Sequence, residues 1–193
     1  MIKPRSPVNV PLKSARVVLF NKPYGVLSQF TPEGRWRGLT DYLSIPGVYP
    51  AGRLDADSEG LLLLTDSGAL QHRLAHPKHK EGKVYLVQVE GLPSAEALKR
   101  LAAGVDIGDH HTLPCNVRPV EAPPWLWSRD PPIRVRKSVP DSWLEIVLHE
   151  GKNRQVRRMC AAVGFPVLRL IRMSIGSYCL DGLAPGEFRL LEL

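Results

Sequence analysis

No run of apolar residues in this chain approaches the roughly 18 to 20 needed to span a membrane. An amphipathic basic helix with bulky apolar anchors, the signature of a surface-bound protein, is missing too. The first fifteen residues carry Lys3, Arg5 and Lys13 but lack the apolar core of a secretory signal, so residues 1–15 read as a flexible basic tail. Cysteine is scarce. Cys115, Cys160 and Cys179 are far apart, odd in number and without a Cys-x-x-Cys pair, which argues against a disulfide or zinc framework and fits a reduced, cytoplasmic protein. There is no internal repeat, and no low-complexity tract beyond one proline-rich stretch. Acids are missing from residues 151 to 172, where Lys152, Arg154, Arg157, Arg158, Arg169 and Arg172 all fall.

What is present is enough for a normal core: 193 residues, 44% hydrophobic and 23% charged, the size of one domain with room for two lobes. Lysine and arginine number 26 against 19 acids, a net charge of +7. Concentrated basic charge on a globular domain favours a polyanionic partner, with a solvated charged face as the plain alternative.

The pattern predicts strands at Arg16–Asn21, Leu61–Thr65, 83–90, 143–149, 167–175 and 187–193, with short β-like runs near 105–107 and 115–120. Lys22-Pro23-Tyr24-Gly25 reads as a turn after the first strand. Helices are expected from an Asp66 or Ser67 cap to about Ala75, from Pro93-Ser94 to a stop at Gly104, and over 155–163. Residues 121–142 differ in texture, mixing prolines with Trp125, Trp127, Arg129, Arg134, Arg136 and Lys137. They read as an irregular arm whose rings and cations suit nucleic acid. Strands outnumber helices and most look half-buried, which predicts an α+β fold with a mixed, largely antiparallel sheet.

Chemistry is first sought at Gly52-Arg53-Leu54-Asp55-Ala56-Asp57-Ser58-Glu59-Gly60, which places three carboxylates against the apolar run Leu61–Leu64. Charge at the mouth of a core element is costly unless paired or used. The acids alone admit a hard-metal site, a pair for glycosidic hydrolysis, or a surface loop that caps its neighbour. His72, His76 and His79 have no accompanying ligand set and are read as structural or surface residues, so no metal is assigned. His110-His111 reads as a turn pair.

Gly52–Thr65 resembles the catalytic-loop motif of the RsuA/RluB/C/D/E/F group of RNA pseudouridine synthases. Asn21-Lys22-Pro23-Tyr24-Gly25 resembles that group's first motif, Lys83-Val84-Tyr85 its tyrosine motif, and Glu150–Met159 its later basic motif. The matches occur in the family's order. The resemblance implies the pseudouridine synthase fold, a sheet in two lobes around a central cleft, with residues 16–193 as one catalytic domain. It implies Asp55 as the catalytic aspartate, Tyr85 as the stacking partner of the target uracil, and Arg157 as the partner that keeps Asp55 charged and oriented. Arg53 would fill the space of the extruded base or hold the backbone, and Leu148 would form an apolar floor. Lys22, Lys152, Arg154 and Arg158 complete the expected substrate-binding set.

The implied reaction converts uridine to pseudouridine with no net change of atoms or electrons, so no cofactor is called for. Asp55 would attack C1′ or remove a C2′ proton, and the base would be flipped from its stack. The S4-type RNA-binding module of many members has no counterpart in the residues before the first strand. With the Pro/Trp-rich arm, this resembles the large-subunit rRNA pseudouridine synthase E subgroup. The implied partner is ribosomal RNA, 23S in particular, with the protein a monomer. Two rivals are a noncatalytic RNA-binding assembly factor that kept the fold and a glycoside or nucleoside hydrolase.

Overall fold

The computed structural model describes residues 15–75, 81–133 and 138–193. The expected basic tail, His76 and His79, and the arm cations Arg134, Arg136 and Lys137 lie outside the described residues, Ala15 apart. Among the described residues the strands are β1 (Arg16–Lys22), β2 (Tyr49–Pro50), β3 (Glu59–Thr65), β4 (Lys83–Glu90), β5 (Asn116–Val120), β6 (Asp141–Leu148), β7 (Val167–Ile175), β8 (Tyr178–Cys179) and β9 (Phe188–Glu192). The helices are α1 (Gly68–Ala75), α2 (Ala95–Ala103) and α3 (Gln155–Ala162). None of them is long and apolar enough to cross a membrane.

The nine strands form one mixed sheet in the order β5-β6-β4-β7-β3-β1-β9, with β2 on β3 and β8 on β7. Every pairing is antiparallel except β3 with β7, which meet in parallel only at Glu59 opposite Ile171 and Gly60 opposite Arg172. That narrow junction divides the sheet into two lobes, β5-β6-β4-β7 and β3-β1-β9, and the catalytic-loop motif runs straight into it.

The apolar run in β3 is buried at every position because both faces of the strand are covered. Leu61 and Leu63 join Val17, Leu19, Ile171 and Leu86 on one face, while Leu62 and Leu64 join Val18, Phe20 and Leu39 on the other. Each such leucine contributes about 1.5–3 kcal/mol. In β4 the alternation sends Tyr85, Val87 and Val89 toward α2, α3 and β6, and Leu86 to the opposite core. Ser94 caps α2 by accepting from the Ala97 amide, and Ser67 accepts from Leu70 at the start of α1.

Three features depart from the sequence reading. Residues 105–107 make only an isolated bridge, Asp106 with His111, because Val105 and Ile107 turn inward to the core instead of extending an edge. The two-residue strands β2 and β8 carry no periodicity to read. The arm ends earlier than expected, since Asp141 and Ser142 already pair with Glu90 and Val89. Trp127 ties the arm down: its Nε1 donates to Glu59 Oε2 at 2.8 Å, and Arg169 grips the same carboxylate with two bonds of 2.8 Å.

Candidate active site

The loop from Arg53 to Ser58 is held at successive backbone positions before any substrate arrives. The Arg53 carbonyl accepts from Arg172 Nη1 at 3.2 Å, and Ser28 Oγ both donates to the Leu54 carbonyl and accepts from its amide. The Gly25 amide reaches the Ala56 carbonyl at 2.8 Å, and Arg157 Nη2 reaches the Asp57 carbonyl at 2.6 Å. A turn bond from the Ser58 amide to the Asp55 carbonyl, 3.0 Å, closes the loop. With its backbone pinned, the Asp55 side chain projects from a rigid frame and stays 35% exposed.

It faces a cavity of about 380 Å³ lined by Arg53, Leu54, Asp55, Tyr85, Leu148, Lys152, Arg154 and Val156, with Lys83, Glu150 and Arg172 completing its polar wall. Tyr85 and Leu148 are buried side chains from β4 and β6, so one wall is apolar and aromatic. Five cationic residues line the cavity against two carboxylates, Asp55 and Glu150. A preformed pocket of this size, apolar on one side and cationic on the other, suits a flat, anionic or strongly dipolar guest.

Three assignments change on this geometry. Arg157 pairs with Asp57 and not with Asp55: its Nε lies 3.4 Å from Asp57 Oδ2, and its Nη2 holds the Asp57 carbonyl. The residue that approaches Asp55 is Arg154, whose Nη1 is 3.6 Å from Oδ2 while its two Nη atoms also grip both Asp57 oxygens. Arg154 begins α3 in the left-handed conformation, φ 50°, which turns its side chain toward the loop. Burial opposes ionisation of Asp57, yet the Arg154 hydrogen bond and the Arg157 and Arg154 charges hold its carboxyl below the ordinary value.

Lys22 is not a substrate ligand. It is fully buried, and its Nζ donates to the Pro23 carbonyl at 3.0 Å and the Val26 carbonyl at 2.6 Å, bracing the turn beneath the loop. Burial and the Arg172 charge bring its pKa down to about 7. Arg158 also stands outside the cavity, engaged by Asp109 and the Ile107 carbonyl. Arg53 and Lys152 are exposed and line the cavity.

Residues 16–162 match the family model of RNA pseudouridylate synthases. The chain belongs to this family. Being a pseudouridine synthase, it is an isomerase that acts on RNA. Ribosomal large subunit pseudouridine synthase E of Xanthomonas axonopodis pv. citri (strain 306) is 59% identical over 171 residues, covering 88% of this chain and 90% of that protein. Its namesake in Vibrio parahaemolyticus serotype O3:K6 (strain RIMD 2210633) is 48% identical over 191 residues, covering 99% of this chain and 78% of that protein. A crystal structure of pseudouridylate synthase superposes with a TM-score of 0.75 at 27% identity, over 94% of this chain and 72% of the other.

Sequence reasoning overlooked three polar residues of the synthase's cavity. Arg172 and Lys83 are strand residues, and Glu150 accepts from the Leu113 amide at 2.8 Å and from Gln155 while His110 Nε2 lies 3.2 Å away. A signal for Arg172 was present: an arginine inside the apolar strand Leu170–Ile175 must find partners or a task.

Proposed function

We propose that this synthase isomerises a uridine of 23S, large-subunit ribosomal RNA, with Asp55 as the reacting carboxylate, Tyr85 stacking on the flipped uracil and Leu148 as the floor beneath it. The observation that carries the reading is the meeting of Asp55, Tyr85 and Leu148, from a loop and two strands, in one cavity with a cationic wall. The large-subunit substrate is supported by relatives that bear that name at 48–59% identity over 78–90% of their length. The three widely spaced cysteines, with no Cys-x-x-Cys pair, support the cytoplasm.

Asp55 attacks C1′, or takes a proton from C2′, as the N1 glycosidic bond breaks; the uracil rotates against Tyr85 and rejoins through C5. Arg154 and the Asp57–Arg157 contacts fix the approach of the carboxylate. Arg53 and Lys152 hold RNA phosphates at the exposed side of the cavity.

The test is carbodiimide mapping of pseudouridine in large-subunit rRNA incubated with wild-type protein and with Asp55→Asn. Wild type is expected to modify a single uridine and the variant to fall by more than about 10³-fold. Equal modification by both proteins would remove Asp55 from the mechanism. Release of free uracil would point to hydrolysis, and binding without modification to an assembly role.

A further inference from the structure

Two cations in the cavity have no task in the reaction as described. Arg172 is only 4% exposed, and its guanidinium donates to neutral partners, Nε to the Leu61 carbonyl at 2.8 Å and Nη1 to the Arg53 carbonyl at 3.2 Å. Among the described residues no carboxylate lies within ion-pair distance of it. Lys83 is half-buried on the same cavity, and its ammonium has no hydrogen bond or ion pair among the described residues. Of the carboxylates nearby, Glu59 is held by Arg169 and Trp127, Asp55 lies by Arg154, Glu150 is held by Gln155, His110 and the Leu113 amide, and Glu81 acts on Lys83 through its charge without coming within ion-pair distance. Burial and the Arg172 charge lower the Lys83 pKa, and the charge of Glu81 opposes them only in part. Buried cations left in this state are costly, and the cost is recovered when an anion arrives.

Their location says which anion. β7 carries one residue more than β4 at this point, Met173, so Arg172 stands directly across from Tyr85 and Ser174 across from Val84. Cross-strand neighbours have Cβ atoms about 4.5–5.5 Å apart. Lys83 lies two residues before Tyr85 on the same strand, opposite Leu148 of the floor. Both charges therefore flank the ring on which the base rests, whereas the exposed Arg53 and Lys152 are the groups that meet solvent and RNA backbone.

We propose that Arg172 and Lys83 bind the uracil leaving group and stabilise the negative charge it acquires when N1 parts from C1′. The proposal rests on the reading of Asp55 and Tyr85 given above. In that step the N1–C1′ bonding pair passes to the ring and spreads over O2, N1 and O4, while Asp55 bonds to C1′ or takes the C2′ proton. After rotation C5 bonds to C1′ and Asp55 is released, or the C2′ proton is returned. The hydrogen on C5 leaves as a proton and N1 gains one, so substrate and product are isomers. The ring is anionic only between these events, and fixed charges in a water-poor wall act most strongly there.

Single-turnover kinetics on a large-subunit rRNA transcript, and on the same transcript made with 5-fluorouridine, test this. Fluorine withdraws electrons, so the fluorinated ring is the better leaving anion. Glycosidic cleavage is followed by nuclease digestion and mass spectrometry. Wild type must first form pseudouridine; failure there overturns the functional reading and this proposal with it. With wild type active, Lys83→Gln and Arg172→Gln are each expected to slow cleavage by about 10²-fold, with RNA affinity unchanged and a smaller loss on the fluorinated transcript. Lys83→Gln breaks no side-chain hydrogen bond or ion pair among the described residues, so it decides the matter even where Arg172→Gln fails to fold. Weakened RNA affinity with an unchanged cleavage rate would place the cations on a phosphate and overturn the proposal. Equal losses on both transcripts, or no loss, would overturn it as well.

Discussion

The Asp55 side chain makes no hydrogen bond among the described residues, in a loop whose backbone is bound at Arg53, Leu54, Ala56 and Asp57. That division suits a group that must meet a substrate without the enzyme reorganising. Lys22 shows the complementary case, a charge-bearing residue spent on support. A neutral amine has two hydrogens, enough for the Pro23 and Val26 carbonyls, so both bonds survive deprotonation. Its pKa of about 7 against 10.5 for the ordinary side chain reflects burial and Arg172, opposed by Glu59, Asp57 and Asp55. Between pH 7 and 10.5 the unfolded chain holds the extra proton, so this residue makes folding stability rise with pH across that window and adds no slope below it. Denaturant unfolding should show the stability of wild type minus that of Lys22→Met increasing from pH 7 to 9.5, by on the order of 1 kcal/mol per pH unit at most. A signed difference that is constant or falls with pH would refute the lowered pKa.

At the scale of elements, the junction of β3 and β7 carries the candidate site, because it places the loop of Asp55 beside Tyr85's neighbour Arg172. Gly60 permits the approach: its φ is +102°, and a Cβ there would lie 2.3 Å from the Arg172 carbonyl oxygen. Gly60→Ala should cost upwards of about 4 kcal/mol in unfolding experiments, or leave the protein insoluble. The arm is secured one residue earlier. Arg169→Met strands the buried Glu59 carboxylate and is expected to cost about 3–5 kcal/mol. Trp127→Phe removes one donor from the same group, a loss of about 1–3 kcal/mol, and should raise hydrogen exchange in residues 121–133 while leaving the amides of α2, which packs on the other core, protected.

Across the whole molecule, basic charge divides by what it touches. Arg154, Arg157, Arg158 and Arg169 are paired with carboxylates of the same chain, so the acid-free stretch from 151 to 172 is far less bare in three dimensions than along the sequence. Lys152 is exposed, its backbone amide donates to Gln155 Oε1, and its ammonium is the group proposed to meet RNA. Lys152→Ala is expected to reduce the salt dependence of RNA binding by about one unit of log-log slope, while Arg154→Ala should change that slope little and reduce turnover more. Filter binding between 50 and 200 mM salt, paired with pseudouridine formation rates, checks both; equal slopes for wild type and Lys152→Ala would remove Lys152 from the phosphate contacts.

The sequence by itself determined the elements with strong periodicity, because alternation and caps act locally. The strand over 83–90, the Ser94 cap and the buried run at 61–64 all follow from neighbours within a few residues. It also determined the family, whose motifs hold their order along the chain. Only the tertiary structure decided which arginine of α3 meets which aspartate, since each residue turns about 100° around a helix and the answer depends on how α3 sits against the loop. The same holds for Lys22, adjacent to the turn that buries it, and for Arg172, which reaches Tyr85 only through strand order and one extra residue in β7. A motif names residue types in sequence; the direction in which each charge points is set by long-range packing, and that packing separates the groups facing the substrate from those bracing the loop.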